Sequence, residues 1–192
     1  LAGVVLEHVL PERMDTSRRV SLEGEPASAA APFLEGEPTS MAAPAAAGVS
    51  SEFVSKVYGR ALVELAATHP SMVVLDADLA ADCKVRDFEL AYPERFIENG
   101  IAEQDMVSMA GGLARHGFLP VVNSFANFLA ARANEQIYNN ATEGSKIIYA
   151  CHYAGLIPAG PGKSHQSIRD VSLLAALPNA TIVQPCNGDE TE

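Results

Sequence analysis

The chain has 192 residues, enough for one domain with a full core. Its 13 basic and 24 acidic side chains give a formal net charge of −11. That balance argues against nucleic acid and against an anionic membrane surface as partners. No apolar run reaches membrane-spanning length. The cysteines, Cys83, Cys151 and Cys186, lack zinc-site or redox spacing. An odd count with no disulfide framework suits a reducing compartment, so a cytoplasmic protein is expected.

Leu1 to Leu10 is apolar, but Glu7 and His8 interrupt it and no cleavage pattern follows, so it is a poor signal peptide. Residues 1–14 are expected to form a short docking helix. The chain begins with Leu rather than Met, and we expect a fragment or a section of a longer polypeptide. Residues 15–50 read as a low-complexity Ala/Pro/Glu linker. Within it a twelve-residue unit built on Leu-Glu-Gly-Glu-Pro occurs twice, at Ser21–Pro32 and Phe33–Pro44. Two copies are too few for a solenoid, which needs about three units to bury a core.

The pattern changes at Ser51, and residues 51–192 read as a folded domain. Val54, Val57, Leu62, Leu65 and Ala66 predict an amphipathic helix from near Ser51 to His69-Pro70. Met72–Leu75 is a short apolar strand before Asp76 and Asp78. A helix from Glu103 to His116 is stopped by Gly117. Phe118–Ser124 predicts a strand, Asn127–Ala141 a helix, and Lys146–Cys151 a strand. Ser167–Leu177 predicts a helix and Thr181–Gln184 a further strand. Short apolar strands alternating with helices predict an α/β fold, a three-layer sandwich whose mostly parallel sheet is covered by helices on both faces. Ligands of such sheets sit at the carboxyl ends of strands, where Asp76, Asp78, Ser124 and His152 fall.

Glu103 follows a polar turn at Asn99-Gly100 and opens a helix, with Ile101, Ala102, Met106 and Met109 close by. Read from position alone, it either complements the helix dipole or faces a ligand at the helix N-terminus. An apolar setting lets such a carboxyl hold or share a proton near neutrality. Phe125 and Phe128, at the mouth of a strand, are either core rings or a stacking surface for a flat heterocycle. His152 and His165 are either structural or proton-relaying groups. Asp78 either caps a turn or faces a ligand. Lys163 and Arg169 either hold a substrate phosphate or are simply solvated. His8, His69 and His116 are read as structural.

The segment Asn99-Gly-Ile-Ala-Glu-Gln-Asp-Met106 resembles the "GIAEQNM" signature of thiamine-diphosphate enzymes of the transketolase type, with Asp105 in place of the usual Asn. The resemblance covers roughly Ser51 to Glu192, the pyrimidine-binding domain of that family. It implies that Glu103 is the catalytic acid, hydrogen-bonded to the cofactor's aminopyrimidine ring. Phe128 is then the stacking ring and Phe125 its supporting wall; a third aromatic of transketolases would fall near Ala131. Gly160-Pro-Gly-Lys-Ser-His-Gln-Ser167 resembles the "GPTHQP" turn of transketolases and the "HSQS" turn of 2-oxo-acid dehydrogenase beta subunits. The resemblance implies that His165 faces the substrate, and His152 with it if one residue is inserted. Transketolases carry an acid shortly before that turn; Pro158-Ala159 stand here. Asp78 matches the Asp of the family's "ADL" segment near the cofactor, and Ile101 joins the expected cofactor-binding set.

Gly111-Gly112 would cost helix stability unless it permits close packing, and two such helices meeting across a twofold axis would account for it. The family's "GDG…N" motif, which holds a divalent metal against the diphosphate, is absent from the sequence; Gly188-Asp189 lacks the second Gly. The resemblance implies thiamine diphosphate as the cofactor, with Mg2+ (or Ca2+) bound by a partner section. The expected partner is a diphosphate-binding subunit or domain, in a dimer of pyrimidine domains or a heterotetramer. The expected activity, in that assembly only, is transfer of a two-carbon ketol unit between sugars or sugar phosphates. The alternatives are a deoxyxylulose-phosphate synthase-like or 2-oxo-acid dehydrogenase beta-like reaction, or a non-catalytic stabilising subunit.

Overall fold

The computed structural model of the chain describes residues 53–156 and 160–192. The docking helix expected at residues 1–14, the linker at 15–50, His8, and Pro158-Ala159 lie outside the described residues.

Four strands form one all-parallel sheet: β1 (Met72–Asp76), β2 (Phe96–Glu98), β3 (Leu119–Phe125) and β4 (Ile148–His152), in the order β2-β1-β3-β4. Alternation along the strands serves two cores. Val74 and Val121 face α1 (Val54–Thr68) and α2 (Arg86–Ala91), burying Tyr58, Leu62 and Phe88. Val73, Leu75 and Val122 face α3 (Glu103–Arg115) and α4 (Asn134–Thr142), burying Met106, Val107, Leu129 and Ile137. Each such aliphatic side chain contributes roughly 1.5–3 kcal/mol when fully buried. A parallel sheet buried on both faces is the expected three-layer sandwich.

α1 ends where Pro70, which has no N–H to donate, follows the C-cap His69. Gly59 lets α1 lie against the Lys84 carbonyl, since a Cβ there would stand 2.1 Å from that oxygen. α3 ends at Gly117 with φ +89°, the left-handed stop predicted from sequence.

Three expected elements differ. The helix expected over Asn127–Ala141 is broken into a π turn, Phe128–Arg132, and α4, with Ala133 donating to the Phe128 carbonyl at 3.2 Å. Periodicity alone does not reveal that extra residue. The helix expected over Ser167–Leu177 shrinks to α5 (Asp170–Leu174), because Ser167 exchanges two backbone hydrogen bonds with Gly155, both at 2.8 Å. The strand expected at Thr181–Gln184 is irregular backbone. A left-handed turn at Asn179 (φ +58°) leads into it, and Thr181, Ile182 and Val183 line a groove of about 540 Å³ beside β4 instead of pairing with it. The chain ends in α6 (Gly188–Thr191), capped by the Asn187 side chain, which accepts from the Glu190 N–H.

The glycine pair of α3 divides between two environments. A Cβ on Gly111 would meet Asn140 Oδ1 at 2.1 Å, whereas one on Gly112 would meet nothing within 4 Å. Asn140 is itself fixed, donating to the Val107 carbonyl at 2.9 Å and to the Tyr149 hydroxyl at 3.1 Å. Close packing inside the chain thus explains Gly111, and only Gly112 lies on the open face where a second helix could meet α3. Gly111→Ala should lower stability by about 1–3 kcal/mol through overpacking. Gly112→Ala should raise it by up to about 1 kcal/mol by removing glycine's helix cost. Urea midpoints of the two variants check the contrast; equal shifts would contradict it.

Candidate functional site

The strands end at Asp76, Glu98, Phe125 and His152, so one edge of the sheet collects the residues that sequence singled out. Glu103 opens α3 just beyond this edge and is 1% exposed. Its carboxylate is not in the wholly apolar setting that sequence suggested. Arg132, at the end of the π turn, donates to both its oxygens at 2.8 and 2.7 Å. The same guanidinium lies over the Phe128 ring, 4.4 Å from its centroid. A single nitrogen, Nη1, serves both oxygens, so this is a charge-assisted contact rather than the two-nitrogen fork, and the aromatic face adds a further attraction.

The aromatic expectations have a definite geometry. Phe125 is buried and Phe128 half-buried, stacked with centroids 5.4 Å apart. His165 approaches both, 5.1 Å from Phe128 and 5.8 Å from Phe125, and Tyr153 meets Phe125 edge-on at 4.9 Å. The turn carrying His165 is tied down by Asn127, whose side-chain N–H donates to the Ser164 carbonyl at 2.8 Å. Ser164 Oγ also lies 2.9 Å from His165 Nδ1. Glu103, Arg132, Phe128, Phe125 and His165 thereby form one connected constellation. Ile101, two residues before Glu103, is 74% exposed and stands beside it as an apolar surface.

His152 is turned elsewhere. Its ring meets Tyr58 edge-on at 5.1 Å, and its Nε2 lies 3.5 Å from Asn123 Oδ1. Burial pushes its pKa down to about 3, so the imidazole is neutral near neutral pH. Asn123 is the centre of this second group: it accepts from the Tyr58 hydroxyl at 2.5 Å and donates to the Leu75 and Val121 carbonyls at 3.2 and 3.0 Å. His152, Tyr58 and Tyr153 line a cavity of about 350 Å³ on the α1 side of the sheet. Asp78 is exposed, with left-handed backbone (φ +60°), and its N–H donates to Glu98 Oε1 at 2.9 Å. Lys163 and Arg169 are exposed. His69 and His116 sit at helix ends. The three cysteines are free thiols.

Sequence reasoning missed Arg132, Asn123, Tyr58 and Glu98. Arg132 left one usable signal: it stands four residues after Phe128, the spacing that stacks side chains on one helical face. Asp76 was noticed only as a strand end. It is fully buried; Oδ2 accepts from the Leu79 N–H at 2.6 Å, while Oδ1 has no hydrogen-bond partner. Burial, then the nearby carboxylates of Glu98 and Asp78, raise its pKa to about 7.

That shift has a sign. Between an unfolded value near 4 and a folded value near 7, the folded chain holds a proton that the unfolded chain releases. Stability contributed at this site therefore falls as pH rises through that window and is flat above it. Asp76→Asn, which keeps an acceptor for Leu79, should remove a fall of about 2–4 kcal/mol between pH 4 and pH 8. Urea denaturation of both proteins across that range checks this; parallel curves would contradict it.

The fit to a thiamine-type ring can be judged from the residues present. A buried carboxylate and an aromatic wall are groups of the kind that would take the edge and the face of a flat aminopyrimidine, and in this structure Arg132 occupies both. Among the described residues there is no group of three or more His, Cys, Asp and Glu side chains that could hold a metal ion. Among them, too, no helix is long and apolar enough to cross a membrane.

Comparison with known proteins bears on the family and the fold. The family described as "Transketolase, pyrimidine binding domain" matches residues 53–192. A Methanocaldococcus jannaschii protein named as a transketolase C-terminal section is 39% identical over 133 residues, 68% of this chain and 42% of that relative. The 1-deoxy-D-xylulose-5-phosphate synthase of Clostridium botulinum is 36% identical over 131 residues, 68% of this chain and 21% of the relative. Among solved structures, a split-gene transketolase, described as an inactive beta4 tetramer, is 41% identical with a TM-score of 0.63, covering 72% of this chain and 44% of that one. The chain thus spans less than half the length of these relatives. A Pichia stipitis transketolase variant, 22% identical with a TM-score of 0.65 over 72% of this chain and 22% of its own, shares the fold.

Proposed function

The chain belongs to the transketolase pyrimidine-binding domain family, and from that premise we propose that it is the pyrimidine-binding section of an enzyme that transfers a two-carbon ketol unit between sugars or sugar phosphates. The observation that carries the proposal is the buried Glu103 at the start of α3, linked through Arg132 to the stacked Phe128–Phe125 pair.

In this reading thiamine diphosphate, when bound, supplies the nucleophilic carbon that attacks a carbonyl substrate. Glu103 presents its carboxyl to the pyrimidine ring nitrogen and holds or shares a proton there. Phe128 stacks on the ring and Phe125 backs it. Ile101 and Asp78 complete the cofactor-side surface. His165, whose ring lies against Phe128, faces the substrate and moves a proton at its oxygen. His152, held neutral, can serve only as an uncharged hydrogen-bonding group.

For a pyrimidine to stack on Phe128, which Phe125 backs, the Arg132 guanidinium must move off that ring's face. The diphosphate and its Mg2+ (or Ca2+) are held by a partner section, because this chain offers neither a metal cluster among its described residues nor a "GDG…N" motif in its sequence. The exposed face of α3, with Met109 and Gly112, is the surface on which pyrimidine domains pair in a dimer or heterotetramer. A reducing, cytoplasmic setting fits the free thiols of this chain.

A second reading keeps the cofactor and changes the reaction to condensation with a 2-oxo acid. The similarity to 1-deoxy-D-xylulose-5-phosphate synthase favours it. One assay separates the two: the chain is assembled with a diphosphate-binding section, thiamine diphosphate and magnesium, then offered a ketose donor or pyruvate. The first reading predicts ketose consumption with aldose acceptors. Pyruvate consumption without ketose consumption would establish the second, and consumption of neither would leave a non-catalytic subunit.

A further inference from the structure

Glu98 is the last residue of the edge strand β2, directly across from Asp76 in the β1–β2 register. Its Oε1 accepts two backbone hydrogen bonds, from the Asp78 N–H at 2.9 Å and from the Gly100 N–H at 2.7 Å. One carboxylate oxygen therefore joins the loop leaving β1 to the loop leaving β2. Both loops lead to ligand-side residues: Asp78 itself on one, and Ile101, Ala102 and Glu103 on the other. Bonds from backbone N–H groups to a carboxylate are charge-assisted, hence short and strong.

The surrounding backbone shows why such a clasp is needed. Gly100 takes φ +65°, and the Ala102 N–H turns back to the Gly100 carbonyl at 2.7 Å before α3 begins. Ala102, the N-cap of α3, makes no side-chain capping bond, so no cap side chain sets where the helix starts. β2 is only three residues long and has one neighbouring strand. The polar anchors of this turn are the Asn99 N–H, which donates to the Asp76 carbonyl at 2.9 Å, and the clasp made by Glu98.

We propose that Glu98 is a positioning residue: its carboxylate fixes the Asn99–Ala102 turn, and through it the start of α3 that presents Ile101 and Glu103 to the aminopyrimidine. The inference rests on the reading of Glu103 given above. Glu98 does not touch the cofactor in this account. It acts through backbone geometry, so its loss loosens the placement of the groups that hold the cofactor rather than removing one of them.

Three substitutions test it in the assembled enzyme. Glu98→Gln keeps an oxygen able to accept both N–H groups. Glu98→Asp keeps the charge but is one methylene too short to reach both. Glu98→Ala removes the acceptor. The expected result is a rise of about tenfold in the half-saturating thiamine diphosphate concentration for Glu98→Ala and Glu98→Asp, with kcat reduced less. Glu98→Gln should stay within about threefold of the parent. In the chain without its partner, amide exchange at Asp78 and Gly100 should quicken about tenfold in the Ala and Asp variants and hold in Gln. A role confined to holding the sheet edge would lower stability and leave cofactor saturation unmoved.

Glu98→Asp or Glu98→Ala proteins that assemble and saturate within twofold of the parent would overturn the proposal, as would a Glu98→Gln that behaves like Ala. Glu103→Gln run alongside separates the two claims. If it leaves turnover intact, the reading of Glu103 fails whatever Glu98 does. If it abolishes turnover while saturation in the Glu98 variants is unchanged, the clasp alone fails.

Discussion

Glu103→Gln should reduce thiamine-diphosphate-dependent turnover of the assembled enzyme by roughly 10²–10⁴-fold, the range lost when a positioned general acid–base group is removed. The substitution is nearly isosteric, so α3 and its packing should survive. Gln can still accept from Arg132, but it cannot hold and return a proton at the pyrimidine nitrogen. Arg132 is 45% exposed, so water can take up the hydrogen-bonding capacity it loses. The stability cost should therefore be modest, about 1–2 kcal/mol. Turnover and urea midpoint measured on one preparation check both halves. Loss of activity that merely tracked loss of fold would argue for a structural Glu103.

The largest stability effect is expected at the other end of the pair. Arg132→Met keeps much of the aliphatic stem over Phe128 but leaves a carboxylate that is 1% exposed without its guanidinium. Removing one partner of a fully buried ion pair costs about 3–5 kcal/mol; with Arg132 45% exposed, water reaches part of the site, and about 2–4 kcal/mol is expected. The double variant Glu103→Gln with Arg132→Met removes the stranded charge and should recover about 2 kcal/mol or more of that loss. A double-mutant cycle from denaturation curves measures the coupling directly. Additive effects would mean that the pair seen at 2.7 and 2.8 Å carries little energy.

Legibility in the sequence followed burial. β1, β3 and β4 are apolar runs closed by polar turns, and each was visible within a residue or two. α3 was visible because a polar turn opens it and Gly117 closes it. β2 was not, since Phe96-Ile-Glu98 is too short and too exposed to show alternation. α2 was missed for similar reasons, with six residues and one buried ring, Phe88. Thr181–Gln184 has a strand's composition, yet it borders β4 across a groove and forms no ladder. Composition reports what a segment can do; pairing depends on a neighbour far away in sequence.

The candidate site divides along the same line. Glu103, Phe125, Phe128 and His165 were legible through local motifs. The groups that connect them were not: Arg132 meets Glu103 across 29 residues, and Asn123 meets Tyr58 across 65. Two neighbouring acids illustrate the point. The motif drew attention to Asp78, which is exposed, while Asp76, two residues earlier, is the carboxyl with its proton affinity raised by burial. Position in a motif marks a loop. Only packing decides which acid in the loop is buried.

The most direct test is the structure of this chain assembled with its diphosphate-binding section and thiamine diphosphate. Our reading requires the pyrimidine ring nitrogen to lie within hydrogen-bonding reach of a Glu103 oxygen, about 2.6–3.2 Å, with the ring stacked on Phe128 and Arg132 displaced from that ring's face. A pyrimidine bound elsewhere, with Arg132 still over the Phe128 ring, would contradict it.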